Sequence, residues 1–195
     1  MKTLRDKLKS GVMALAMMVC GAQVGEAAMV HGTYYMEHIR DGKVIYSESF
    51  PNLVATVGVN LTWDTVLAGS SYTVTGPYMG LISSVGYSAI ANADTMTSHA
   101  GWTEAGGTNA PTYSGTRKTC AWSAASARAK ALSAALSFAI TSTGTIKGAF
   151  IVLGSGALST IDNTGGTLFS AGLFTGGDRA VLSGDTVNVS YSVSG

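Results

Sequence analysis

At 195 residues the chain is long enough for one domain with a proper core and too short for two. Only 12% of it is charged, while 46% is hydrophobic and 25 residues are glycine, so its surface is neutral, rich in hydroxyls and suited to being covered by a neighbour. Most of the basic excess sits in the first 29 residues, where Lys2, Arg5, Lys7 and Lys9 stand against Asp6 and Glu26, and the rest has no basic patch of the kind a nucleic-acid partner requires.

Residues 1–29 have two readings. A basic start, the apolar run 11–20 and the small residues Ala27 and Ala28 have the layout of a cleaved secretory signal peptide. Equally, Leu4, Leu8, Val12, Leu15 and Val19 recur every three or four residues and form the apolar stripe of a retained helix, with Leu4, Leu8 and Leu15 as candidate contacts to a partner protein. A run this short does not span a bilayer as a helix, which takes about 20 residues.

From residue 30 to residue 195 the pattern becomes that of one β-rich domain. Residues 31–39 and 43–49 flank Asp41-Gly42, a dipeptide suited to the positive φ angles of a tight hairpin. Pro51-Asn52 ends the second strand, and Asn52 is the expected N-cap of a body helix carried by Leu53, Val57, Leu61, Val66 and Leu67 and stopped at Gly69. Residues 78–83 read as a buried strand. Residues 84–117 form a long excursion rich in Gly, Ser, Asn and Thr, tied down by Trp102; so long an irregular stretch reads as an interface loop, which makes Trp102 a candidate contact as well.

The C-terminal half alternates over 132–140, runs apolar over 145–153 and 167–174, and alternates again at Val187, Val189, Tyr191 and Val193. Turns are marked by Gly154 and Gly156, Gly165-Gly166 and Gly176-Gly177. Together these predict a mainly β fold: an antiparallel, jelly-roll-like β-sandwich with one short body helix and an N-terminal helix, and no solenoid repeat.

The search for chemistry assigns no catalytic, cofactor-binding or metal-ligating residue, and the chain reads as a non-enzyme. Cys20 and Cys120 are too few for a metal site and make no disulfide framework; both read as buried thiols suited to a reducing cytoplasm. His31 and His38 are seven residues apart on the first strand, hence on opposite faces. Ser98, His99 and Asp94 are neighbours in sequence without a nucleophile-elbow motif. The 11 acidic residues are scattered through turns and suggest no carboxylate pair, and the glycine-rich turns lack a phosphate-binding pattern. Arg117-Lys118, Arg128 and Lys130 read as ordinary solvated charges. Trp63, Trp102 and Trp122 read as core and interface anchors, with a stacking surface, shared with the tyrosines, for carbohydrate or single-stranded nucleic acid as the alternative.

The ordered series His38-Ile-Arg-Asp-Gly-Lys-Val-Ile45, Pro51-Asn-Leu-Val54, Tyr78-Met-Gly-Leu81 and 94–104, followed by Gly148-Ala-Phe150, Gly166-Thr-Leu-Phe169 and Ser183-Gly-Asp-Thr186, resembles a family of small virion structural proteins of tailed bacteriophages. The resemblance covers about residues 30–195. It implies a virion-associated β-sandwich, assembled in the host cytoplasm, that binds the major capsid protein or other virion subunits, as a capsid decoration or cement protein or as a head-fibre or tail accessory. It also implies a homo-oligomer, dimer or trimer, with a short N-terminal helix. The signal-like run keeps a secreted carbohydrate-binding module as the alternative from another class.

Overall fold

The computed structural model describes residues 31–67 and 75–194, so Leu4, Leu8, Leu15, Cys20 and the expected N-terminal helix lie outside the described residues. In chain order the elements are β1 (His31–Arg40), β2 (Lys43–Pro51), β3 (Leu53–Val54), α1 (Thr56–Leu67), β4 (Tyr78–Ser83), β5 (Thr103–Glu104), β6 (Lys118–Thr119) and β7 (Ala129–Ala131). They continue with β8 (Leu136–Ala139), β9 (Gly144–Leu153), β10 (Thr167–Leu173), β11 (Arg179–Val181) and β12 (Thr186–Ser194). The fold is mainly β and its strand pairs are antiparallel.

Two sheets carry these strands. The first runs β2-β1-β12-β7, with β8 also beside β12; the second runs β3-β10-β9-β4-β5, with β11 beside β9 and β6 beside β4. The opening hairpin forms where the sequence predicts it, because Asp41 and Gly42 take φ of 50° and 72°, the pair of left-handed residues that matches strand twist. One extra residue, Ile45, then bulges out: Tyr46 faces His38 but Val44 faces Ile39.

The sheets pack face to face. Alternate residues of β1 (Tyr34, Met36) and β12 (Val187, Val189, Tyr191), with Phe50 and Phe138, meet Met79, Leu81, Ile146 and Ile151 of the second sheet in one buried cluster. Each large apolar side chain removed from water there contributes about 1.5–3 kcal/mol before entropy is counted. Tyr34 and Phe50 stack with centroids 5.1 Å apart, and Phe174 meets Phe50 edge-on at 5.0 Å.

The second sheet is buried on its other side too. A separate cluster of Ile82, Phe150, Val152, Leu168 and Ala171 is covered by Ala55 at the entry to α1 and by Met96 and Trp102 of the excursion. Helix α1 lies close on β10: a Cβ added to Gly58 would come within 2.5 Å of the Phe169 carbonyl oxygen. The helix begins later than the sequence predicts. Leu53 and Val54 are taken by pairing with Ala171 and Ser170, and Asn52 is no cap: its side chain accepts from Gly32 N (2.8 Å) and donates to the Tyr191 hydroxyl (2.8 Å). The stretch 132–140 is shorter as a strand than its alternation predicts: Leu132 bridges Trp122 and its N–H donates to the Tyr191 carbonyl at 2.9 Å, and the ladder to β12 resumes only at Leu136–Ala139.

No helix among the described residues is long and apolar enough to cross a membrane.

Candidate functional site

The most polar construction in the interior joins two residues that sequence analysis left on the surface. Arg117, expected as a solvated charge, is 2% exposed, and Glu104 in β5 is 4% exposed. The guanidinium forks onto the carboxylate, with Nε to Oε1 at 2.9 Å and Nη2 to Oε2 at 2.7 Å. Its remaining reach goes to the carbonyls of Leu158 (3.1 Å) and Asn163 (2.6 Å), while the amide of Asp162 donates to Glu104 Oε2 at 2.8 Å. Beneath lies the Phe150 ring, 5.4 Å from the guanidinium carbon. Gly80 is required here, because a Cβ would stand 2.5 Å from that ring and 2.8 Å from Glu104 Oε1. Burial pushes the Glu104 carboxyl above its usual range, and the Arg117 hydrogen bonds oppose that without overcoming it.

Above this pair opens a cavity of about 140 Å³, lined by Met96, His99, Trp102, Thr103, Glu104, Asn109, Arg117, Asp162, Asn163 and Thr164. Pockets that enclose organic ligands usually measure about 300–1,000 Å³. The ionisable groups at its floor neutralise each other and are already hydrogen-bonded within the chain, so they fasten β5, the approach to β6 and the 158–163 turn rather than wait for a substrate.

The other chemistry-bearing residues are likewise engaged. His99 Nδ1 lies 3.0 Å from the Trp102 carbonyl, its ring stacks on the indole at 4.0 Å, and Asp94 Oδ2 accepts from Trp102 Nε1 (3.0 Å) and Ala91 N (2.8 Å). Asp94 therefore orients the tryptophan, not the histidine, and Ser98, His99 and Asp94 form no relay. His31 is exposed and His38 buried, on opposite faces of β1 as the spacing requires. His38 Nε2 sits 2.7 Å from Asp185 Oδ2, and Arg40 donates to both oxygens of Asp185 at 2.8 and 2.7 Å. These bonds, the Arg40 one foremost, hold the Asp185 carboxyl well below its usual range. Cys120 is buried, as expected, and burial pushes its thiol up to about 12, which leaves it a poor nucleophile. Among the described residues no three metal-ligating side chains gather.

Trp102 does tie down the excursion, but its use as a partner contact is corrected: the ring is 2% exposed, sealed between Phe150 and His99. The three tryptophans do not share a platform. Trp122 packs on the inter-sheet core edge-on to Tyr191, Trp102 belongs to the outer cluster, and Trp63 is exposed on α1.

What remains open among the described residues is the outer face of the first sheet. The register sets Tyr35 between Ser49 and Ser190, Thr33 between Pro51 and Ser192, and Glu37 between Ser47 and Asn188, with Ser137 beyond. These side chains are short hydroxyls and amides, with Glu37 the one charge among them, and its Oε1 accepts from the Tyr35 hydroxyl at 3.0 Å. Sequence reasoning missed this face as a site, although the alternation of Ser with Val and Tyr in β12 was its signal. Comparison of the chain with known protein families, with curated proteins and with solved structures finds no match.

Proposed function

We propose that the protein is a non-enzymatic structural subunit of a phage particle, a capsid decoration or cement protein that lays the outer face of its first sheet on neighbouring head subunits. The observation that carries this reading is the contrast between buried charges closed on one another, Arg117 with Glu104 and Asp185 with His38 and Arg40, and a broad sheet face with almost no charge. Charged residues are what a protein core interface lacks, and short hydroxyl side chains lose little rotamer entropy when a partner orders them. The fold fits the jelly-roll reading in one respect, that its first strand lies beside its last.

The experiment is to purify particles from infected cells, separate heads from tails and quantify this chain in each. A fixed copy ratio to the major capsid protein supports the cement reading. A fixed ratio on tails or fibres moves the chain to an accessory role in the same virion, and its absence from particles removes the proposal.

A further inference from the structure

Among the described residues strand β2 is the edge of the first sheet, and the phase of its ladder tells which backbone groups it leaves open. Asn52 N donates to Gly32 O at 3.1 Å, and the pairs Tyr34↔Phe50, Met36↔Glu48 and His38↔Tyr46 continue in the same phase. Antiparallel neighbours alternate between bonded and non-bonded pairs, so the N–H and C=O of Ser47 and Ser49 point off the sheet. Pro51, without an N–H, closes this row. Beside it Val44 and Ile45 are 53% and 50% exposed. An open edge of this kind accepts another strand.

The charges around it select the strand. The Arg179 guanidinium stacks 3.8 Å from the centre of the Tyr46 ring and donates to the carbonyls of Gly176 and Gly177; among the described residues no carboxylate pairs with it. Two places along β2, Glu48 Oε2 accepts from Gly176 N (2.8 Å) and Thr175 Oγ1 (3.0 Å), while Glu48 Oε1 is buried with no partner.

We infer that two copies of this chain join edge to edge, β2 antiparallel to β2, across a two-fold axis at Ser47. In that register Ser47 faces Ser47 and the two exchange backbone hydrogen bonds, Ser49 faces Ile45, and Tyr46 of one copy stands opposite Glu48 of the other. The Tyr46–Glu48 pairs are non-bonded ones, in which side chains approach most closely. Each Arg179, riding on its Tyr46, is thereby brought beside the carboxylate of the other copy's Glu48, an opposite charge across the seam, twice by symmetry. Moving the axis by one residue sets Glu48 against Glu48, a like-charge pair. The joined sheet turns both hydroxyl faces to the same side. This assembly does not depend on the particle role: it is a property of the isolated chain.

The test uses the full chain. Sedimentation over a range of concentrations should give a monomer–dimer equilibrium. Ser47→Cys should form a disulfide-linked dimer under mild oxidation, because Cα atoms of a bonded pair lie about 5.5 Å apart, within disulfide range. Ser49→Cys, facing Ile45, should stay near the background set by the parent's Cys20 and Cys120. Ser47→Pro removes an outward N–H and leaves the β1 ladder intact, so it should weaken the dimer by about tenfold or more. Arg179→Glu should weaken it as well, read as the dissociation constant at a temperature where the variant is fully folded, and it carries the test if Ser47→Pro fails to fold. A parent chain that stays monomeric or forms trimers, equal crosslinking at positions 47 and 49, or an Arg179→Glu dimer as tight as the parent's would each overturn the inference.

Discussion

The two sheets share one core and differ in what lies behind them. Strands β4 and β9 of the second sheet are nearly continuous in burial, from Met79 to Ser83 and from Ala149 to Val152, because α1 and the excursion cover their outer side. Strands β1 and β12 of the first sheet alternate between buried and open positions. A strand buried on both faces reads as an apolar run and one buried on a single face reads as alternation. Among the described residues the second sheet is thus covered on both faces and the first on one, which leaves its outer face as the sheet surface accessible to another molecule.

The contrast can be broken most severely at the ion pair behind the second sheet. Arg117→Met leaves the Glu104 carboxylate buried without its cation, and stability measured by urea unfolding should fall by about 3–5 kcal/mol. Loss of less than 1 kcal/mol would mean that the outer layer is not fastened there.

A middle-sized effect is expected in the pH profile, with opposite signs in the two halves. Asp185, pinned by Arg40 and His38 at the rim of the first sheet, has a folded pKa below the ordinary aspartate value of about 3.9. Its contribution is complete above that value and is lost as pH falls toward the folded pKa. Glu104 is raised, so its ionisation opposes folding and its contribution grows as pH drops through the carboxylate range. Asp185→Asn should therefore flatten the acid limb of the urea midpoint against pH, and Glu104→Gln should steepen it once the loss from the broken pair is subtracted. An unchanged slope in Asp185→Asn would remove the lock from the account.

The smallest effect on stability belongs to the open face. Ser192→Lys should change the unfolding free energy by less than about 0.5 kcal/mol, while on the proposed docking role its charge, placed on a face with almost none, should lower the amount of the protein recovered with particles. Retained attachment would shift the contact elsewhere.

Much of this architecture was legible in the sequence, and the legible parts have a common cause. The Asp41-Gly42 hairpin, the buried run 78–83 and the alternation of β12 are set by backbone preference or by the period of apolar residues, both local. Asn52 looked like a helix cap because its neighbours have helical spacing, but Leu53 and Val54 pair with β10, 116 or more residues later. Arg117 looked solvated because nothing near it in sequence is its partner: the fork needs Glu104, the carbonyls of Leu158 and Asn163 and the amide of Asp162, brought together from separate turns. The edge at β2 was hidden for the same reason, since a strand's place in a sheet is decided by which strands pair on either side.

The pairing of β1 with β12 has a consequence for how the molecule is made. Strand β12, the last of the described strands to be made, is the middle of the first sheet, held by β1 on one side and by β7 and β8 on the other. Until it emerges, β1 and β2 are a hairpin without the strand that joins them to the rest of their sheet, and a two-stranded hairpin alone is marginal in water. Strand β12 must therefore be made before this sheet can close, the long-range pairing of β1 with β12 slows folding, and removing residues from β12 would empty the centre of the sheet rather than trim its border.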